Sequence, residues 1–292
     1  MREHLLRLSV ACARSLRALP AKPSDPRDLC FAAAGLLAAE ESRALRRTLD
    51  GFRAGQGDGL FVWAACRYAL RTDNIAWAGM AMDRLEQSLE NDEPGEPLLA
   101  RMLRWRALDS LAELCRAMGR ARAAADWKSR AKRLIRETTR SRWAPQAGHF
   151  IEADGETSLR PEGNLAAAAW GFADEDASAR ILRTLDRLGW CTPWGPRSAQ
   201  KTFLGGMRRT EQVQLWVSAL ELQALRRLRR RALLSERVER LSALVDAAGH
   251  VPDRCGADGS VESRGPSTRA AGMLLEACGT LLGSLDNMPP LA

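Results

Sequence analysis

The stretch 189–206, GWCTPWGPRSAQKTFLGG, carries side chains suited to holding a polar ligand. Trp190 and Trp194 offer flat apolar faces with an N–H donor at the edge, and Arg197 and Ser198 can hydrogen-bond to oxygen atoms. Sugars combine apolar ring faces with hydroxyl groups, so the stretch could bind a sugar. A rigid loop packed on a helical core is the alternative. The stretch contains no carboxylate, so a catalytic acid or base must come from elsewhere.

The composition favours helix over strand throughout the chain. Valine, isoleucine and tyrosine are sparse, whereas alanine, leucine and arginine are abundant. Of the 292 residues 46% are hydrophobic and 27% charged, which is ordinary for a globular protein and enough for one large core. These features predict an all-α fold in a single domain spanning residues 1–292.

A net charge of +8 and the run of arginines at 226–231 raise the possibility of nucleic-acid binding. The aromatic residues do not alternate with this run, and no recognition-helix or zinc-finger spacing accompanies it. Nucleic acid is therefore not the expected partner, and a solvated charged corner between two helices explains the run. A basic helical scaffold that binds protein or nucleic acid remains an alternative.

The seven cysteines and three histidines are scattered, with no CxxC and no Cys/His pairing at metal-ligand spacing. Neither a metal site nor a cofactor is predicted. Buried free thiols are typical of a reducing compartment, which predicts a cytoplasmic protein. The N-terminal apolar stretch is interrupted by arginines and resembles neither a signal peptide nor a transmembrane helix, so no membrane association is predicted.

The helical segments occur as successive pairs in which short and long connections alternate. The pattern predicts about eleven helices, among them one at 27–50 and one from 208 to 227, with a small hairpin near 148–158. Alternating connections are typical of a ring of helical hairpins, an (α/α)6-type toroid whose long loops share one rim. A complete toroid of this type has twelve helices, so by this count the ring lacks one.

Several motifs resemble, in order, those of the six-hairpin glycosidases, and within them the amylo-α-1,6-glucosidase domain of glycogen-debranching enzymes. The resemblance covers residues 58 to about 285, and its segments are DGLFVWAACRYALRTDN, GEPLLARMLRWRALDSLAEL, SRWAPQAGHFIEADG, RPEGNLAAA, TPWGPRS and HVPDRCGADG. TPWGPRS is the most specific of them. The resemblance implies a carbohydrate ligand and an inverting glycoside hydrolase acting on an α-glucan or a small glucoside.

Inverting hydrolysis needs two carboxylates, one acting as general acid and the other as general base. The resemblance implies Asp253 as the base, although relatives have the longer glutamate there. Relatives carry the acid on an insert that this chain lacks between residues 73 and 97, so a catalytically degenerate glycan-binding or accessory toroid is an alternative. The remaining candidates for the acid are Glu96, Glu93 and Asp58, and those for sugar binding are Trp63, Trp105, Trp143, Trp190, Trp194, Arg197, Ser198 and Asp258.

Overall fold

The computed structural model describes residues 1–18, 25–51, 59–90, 95–152, 159–201, 207–261 and 265–286. These residues form thirteen helices: α1 Arg2–Arg17, α2 Pro26–Phe31, α3 Ala33–Ala38, α4 Ser42–Gly51, α5 Gly59–Arg71, α6 Ile75–Gln87, α7 Leu98–Ala117, α8 Ala121–Arg142, α9 Pro161–Trp170, α10 Glu175–Arg187, α11 Leu215–Arg227, α12 Arg231–Ala248 and α13 Thr268–Asp286. They also form six strands: β1 Trp143–Ala144, β2 His149–Phe150, β3 Cys191–Thr192, β4 Gly195–Lys201, β5 Met207–Gln214 and β6 Arg254–Gly256.

Six helical segments form an inner ring in which each contacts the next. Their order is α2 with α3, α5, α7, α9, α11 and α13, and α13 closes the ring by packing on α2 and α3. The other helices lie outside them, α1 on α13, α4 and α6 on α5, α8 on α7, α10 on α9 and α12 on α11. Closure brings two backbones together, because a Cβ on Gly35 would lie 2.5 Å from the Cα of Gly272. The predicted all-α toroid is confirmed.

The sequence of each helix matches its place in the ring. The outer helix α1 buries Leu5, Leu8, Cys12 and Leu16, which recur every three or four residues and so form one apolar stripe. The inner helix α5 buries almost every side chain from residue 59 to 69, because it packs against its neighbours in the inner ring and against the outer helices α4 and α6. Burying a leucine side chain stabilises a fold by about 1.5–3 kcal/mol. The apolar layer between the inner ring and the outer helices therefore holds the toroid together.

The sequence-based prediction of one helix at 27–50 is wrong. Asp25 accepts a hydrogen bond of 2.8 Å from the Arg27 backbone N–H and caps the start of α2, where Pro26 occupies the first helical position. The chain then reverses at Glu40, which has a positive φ of 65°, and enters α4 on the outside. This reversal creates an inner and an outer segment, and so supplies the helix that the sequence-based count lacked.

The connections between helices divide into two classes that lie at opposite ends of the ring. Each inner helix leads to the next outer helix through a short turn, at 39–41, 72–74, 118–120, 171–174 and 228–230. Each outer helix leads to the next inner helix through a longer segment, so the inner helices all begin at one end. We call that end the long-loop rim and the other the short-turn rim.

In the described ranges, two small antiparallel sheets lie at the long-loop rim. Strands β3, β4, β5 and β6 pair in that order, with Val213 of β5 opposite both Arg197 and Cys255. The prediction of a helix from residue 208 is therefore wrong for 208–214, where a strand precedes α11. The predicted hairpin near 148–158 is shifted, because β1 begins at Trp143 and pairs with β2, while 153–158 lie outside the described residues.

Candidate active site on the long-loop rim

Asp253 lies on the connection between α12 and α13, at the long-loop rim. The Ser267 hydroxyl donates a hydrogen bond of 3.0 Å to its Oδ1, and Nε of Arg254 lies 3.6 Å from its Oδ2. Its backbone carbonyl accepts a 3.1 Å hydrogen bond from the N–H of Leu215, the first residue of α11. The side chain is 42% exposed. Asp253 is thus an oriented carboxylate that solvent can reach, as a general base acting on water requires.

A second carboxylate at this rim was not singled out by sequence. Asp28, in the first turn of α2, accepts two hydrogen bonds from Arg269 of α13, the one from Nε measuring 2.7 Å. The Arg269 guanidinium also lies 5.1 Å from the ring centre of Phe31 and 5.6 Å from that of Trp216. Because Asp28 and Arg269 are far apart in sequence, only ring closure shows that they meet.

Trp194 sits in a tight turn between β3 and β4. The Thr192 hydroxyl donates a 2.7 Å hydrogen bond to the carbonyl of Gly195 and accepts one of 3.2 Å from the Trp194 N–H. A Cβ placed on Gly259 would lie 2.4 Å from the indole ring, so the ring packs directly on that glycine backbone. The side chain is only half-buried. Trp194 therefore offers a fixed, partly open aromatic face at the rim.

The polar candidates next to Trp194 differ in what they can offer a ligand. Arg197 is partly exposed, and its Nη1 donates to Oε1 of Glu211 at 3.0 Å. Ser198 is buried, and its Oγ makes no hydrogen bond within the described part of the chain. Asp258 is exposed, and hydrogen bonds from the Ser260 backbone N–H and hydroxyl lower the pKa of its carboxyl group. Asp258 therefore stabilises its own turn.

Four tryptophans predicted as sugar platforms lie at different depths. Trp63 is 1% exposed and packs on Trp170 with ring centres 5.6 Å apart, so it offers no open face to a sugar. Trp105 and Trp190 are each 8% exposed and also belong to the core. Trp143 is half-buried, with its ring centre 4.9 Å from that of Phe150 in the small hairpin. These rings fill the spaces around the inner helices, where large aromatic side chains bury most area.

The candidates for the general acid are only partly described. Glu96 is partly exposed and lies just before Pro97, the N-cap of α7, so it is at the same rim as Asp253. Glu93 and Asp58 lie outside the described residues. The pairing of Asp253 with one of the three stays a prediction.

Glu152 is a rim carboxylate that sequence reasoning missed. It lies on the connection between α8 and α9 and is 4% exposed, with Nη1 of Arg160 located 3.7 Å from its Oε1. Its backbone carbonyl accepts a 2.5 Å hydrogen bond from Nη1 of Arg142. The signal that could have found it is its position just after the hairpin of β1 and β2, where a carboxylate follows two apolar residues.

Within the described ranges, no three His, Cys, Asp or Glu side chains are grouped closely enough to hold a metal ion. No helix in the described part of the chain combines the length and the apolar character that crossing a membrane requires.

Comparisons with known proteins agree with this architecture. Residues 73–203, less than half of the chain, match the model for the mannosylglycerate hydrolase MGH1-like glycoside hydrolase domain. A search of curated proteins found no significant match. Solved structures similar to this chain include a glycosidase variant in complex with glucose, at 15% identity and a TM-score of 0.67, covering 96% of this chain and 97% of that one.

Two further solved structures share the fold. A second glycosidase variant has 14% identity and a TM-score of 0.69, covering 96% of this chain and 97% of its own. A rhamnosidase from Klebsiella oxytoca with rhamnose bound has 12% identity and a TM-score of 0.67, covering 96% of this chain and 64% of its own. At these identities the likeness concerns the fold alone, an all-α toroid of the six-hairpin type.

Proposed function

We propose that this chain is a glycoside hydrolase whose active site lies on the long-loop rim. The observation that carries the proposal is the position of Asp253, an oriented and exposed carboxylate where the inner helices α11 and α13 begin. Support comes from the glycoside hydrolase domain model and from the glycosidase structures that share the fold over 96% of this chain. Fold alone does not define function, so the proposal depends on this site.

The proposed reaction is hydrolysis with inversion at the anomeric carbon. Asp253 removes a proton from a water molecule as the water oxygen bonds to the anomeric carbon, while an acid protonates the departing glycosidic oxygen. Glu96 is our first choice for the acid, with Glu93 and Asp58 as alternatives. The two carboxyl groups then need a separation of about 6.5–9.5 Å to admit the water. Trp194 would stack on the sugar, and Arg197 would bind its hydroxyls.

The proposed substrate is a small glucoside or an α-glucan, as in the amylo-α-1,6-glucosidases that the sequence resembles. One structural neighbour was solved with glucose, and the matching domain model is named for the hydrolysis of mannosylglycerate, a small glycoside. We also propose a cytoplasmic location. All seven cysteines are thiols rather than disulfides, six of them buried, as expected in a reducing compartment.

A panel of aryl glycosides, glucosylglycerate, mannosylglycerate and malto-oligosaccharides tests the proposal. We expect turnover of at least one glucoside by the wild type and loss of it in Asp253→Ala. Asp246→Ala is the matched control, because Asp246 is an exposed aspartate on the outer helix α12. Proton NMR of the first product formed should show the anomer opposite to that of the substrate. Retention of the anomeric configuration would contradict the inverting mechanism.

Glycan binding without cleavage is the second candidate function. It is favoured by the short connection between α6 and α7, residues 88–97, which leaves little chain for an acid-bearing segment. Isothermal titration with the same sugars distinguishes the two functions. Saturable binding without turnover would support the binding protein, whereas turnover that depends on Asp253 would support the hydrolase.

A further inference from the structure

A cavity of about 680 Å³ opens at the short-turn rim, the end of the ring opposite Asp253. Among the described residues, six arginines and one glutamate, Glu276, contribute to its wall. Four of the arginines come from the run 226–231 at the turn between α11 and α12, and Arg67 and Arg106 come from α5 and α7. The charged run singled out in the sequence is solvent-exposed at Arg226, Arg229, Arg230 and Arg231, as a charged corner would be, and it also borders a concave site.

Arg106 lies deep in this cavity, among aromatic rings. Its guanidinium carbon lies 5.7 Å from the ring centre of Trp63 and 5.9 Å from those of Trp105 and Trp170. Its Nε is buried and has no hydrogen-bond partner in the described part of the chain. Burial, and then the nearby charge of Arg67, lower the pKa of Arg106, while nearby carboxylates, Glu276 first among them, act in the other direction. The protein thus holds a cation where water is scarce and another cation is close, which a bound anion would relieve.

Two other polar atoms of the wall are also unsatisfied. Nε2 of Gln223 and Oε2 of Glu276 are buried without a hydrogen-bond partner among the described residues. The other carboxylate oxygen of Glu276 lies 2.5 Å from Nη1 of Arg67, so that pair is already formed. Buried polar groups normally find partners, and a group left without one costs about 1–3 kcal/mol. The unsatisfied donors of Arg106 and Gln223 match an oxygen-rich ligand.

Not every arginine of the cavity is available to a ligand. Nη1 of Arg227 donates to the carbonyls of Ala168 at 3.0 Å and Ala173 at 2.7 Å, so this residue ties α11 to the end of α9. Arg226 and Arg229 are exposed at the mouth, where their charges can meet an incoming anion. Trp170, partly exposed, supplies a flat apolar surface on the same wall.

We propose that this cavity binds a small phosphate ester that carries a sugar or a base ring, with the phosphate on the arginines and the ring against Trp170. Guanidinium groups recognise phosphate oxygens through paired hydrogen bonds, and an indole face accepts a planar or puckered ring. The volume lies within the range of small-molecule sites. A nucleic acid would need a continuous basic surface, whereas these arginines converge on a cavity.

Isothermal titration of the full chain with inorganic phosphate, glucose 6-phosphate, adenosine monophosphate and unphosphorylated glucose tests the proposal. We expect saturable 1:1 binding of at least one phosphate ester. Charge removal at the mouth in Arg226→Gln/Arg229→Gln should weaken this binding by about tenfold or more. Any binding of glucose, which belongs to the long-loop rim, should be unchanged in that variant. The control Arg122→Gln/Arg187→Gln removes the same charge from exposed positions on α8 and α10 and should bind like the wild type.

Gln223→Leu provides a second variant that keeps the net charge. It removes an unsatisfied buried donor, so we expect the unliganded protein to keep or raise its Tm while its affinity for the phosphate ester falls. Absence of saturable binding by every phosphate probe would overturn the proposal, as would equal weakening in the control double variant. Tighter binding of a short oligonucleotide, lost in the same mouth variant, would assign the surface to nucleic acid instead.

Discussion

The Ser267 hydroxyl donates a 3.0 Å hydrogen bond to Oδ1 of Asp253 and also accepts one of 3.3 Å from the backbone N–H of Ala270. The residue that precedes α13 thus caps that inner helix and orients the proposed catalytic base. Its own N–H donates to the carbonyl of Val251 at 2.8 Å, which ties both ends of the connecting segment together. A helix start and a candidate catalytic group are therefore coupled through one hydroxyl.

Ser267→Ala should affect both stability and catalysis. Loss of the cap should lower the free energy of unfolding by about 1 kcal/mol, and loss of the contact to Asp253 should lower kcat more than it raises KM. Ser267→Thr keeps the hydroxyl and should restore much of kcat. Urea unfolding and steady-state kinetics measure the two effects. An unchanged kcat in a destabilised Ser267→Ala protein would contradict a positioning role.

Gly259→Ala should disturb the Trp194 platform. Gly259 has a φ of +89°, and an added Cβ would lie 2.4 Å from the indole ring. Gly249, with a φ of +71° and no atom within 4 Å of an added Cβ, is the matched control. We expect Gly249→Ala to cost about 1–2 kcal/mol from backbone strain alone.

Gly259→Ala should cost more than this control and should also weaken sugar binding. Chemical denaturation and sugar titration of both variants make the comparison. Equal stability losses and unchanged sugar affinity would show that Trp194 neither depends on Gly259 nor binds the ligand.

Arg269→Lys should weaken closure of the ring at the long-loop rim. Lysine keeps the positive charge but loses the planar group that bonds twice to Asp28 and stacks on Phe31 and Trp216. We expect a loss of about 1 kcal/mol in thermal or urea unfolding, since both partners are partly exposed. Arg187→Lys on the outer helix α10 is the control. Equal stability of the two variants would contradict a specific role for the guanidinium.

Glu221 should make the free energy of unfolding depend on pH. The direction of this dependence should be opposite to that of a typical surface carboxylate. Burial raises the pKa of this carboxyl group, although Arg237, 3.3 Å from its Oε2, acts in the other direction. A raised pKa means that the folded state binds the proton more tightly than the unfolded state. The stabilising effect of protonation is therefore full at low pH and declines as pH rises from about 4.5 through the folded pKa.

Urea unfolding of the wild type and Glu221→Gln across this pH range tests that sign. The difference in unfolding free energy, wild type minus variant, should decrease as pH rises. Only the wild type loses stability there, because glutamine does not titrate. A shift in favour of the wild type would show that the attraction of Arg237 exceeds the cost of burial.

Local sequence signals predicted the helical pairs and the start of α2 but not every boundary. Asp25 and Pro26 mark the start of α2 through local interactions, since Asp25 caps the helix and Pro26 is its first residue. The reversal at Glu40 carries no glycine or proline, so a continuous helical pattern hid it. Strand β5 contains residues that suit a helix, and it becomes a strand because β4 and β6 pair with both of its edges. Such pairing is a tertiary effect that overrides local propensity.

The candidate site was less accessible to sequence reasoning than the fold. Trp63 and Trp194 were both candidates for sugar binding, but helix packing buries one while a turn at the rim leaves the other partly open. Asp28 and Arg269 meet only because the first and last inner segments of the ring adjoin. Sequence patterns identify which residues could act, whereas ring closure decides which of them share a surface.

The most direct test of the central claim is kcat for Asp253→Asn on the substrate found by the glycoside panel. Asparagine keeps the size and hydrogen bonding of the side chain but cannot accept a proton from water. Loss of a general base should lower kcat by about 10²–10⁴-fold while the sugar still binds, and Asp246→Asn should remain fully active. A kcat for Asp253→Asn within about tenfold of wild type would contradict the assignment of Asp253 as the catalytic base.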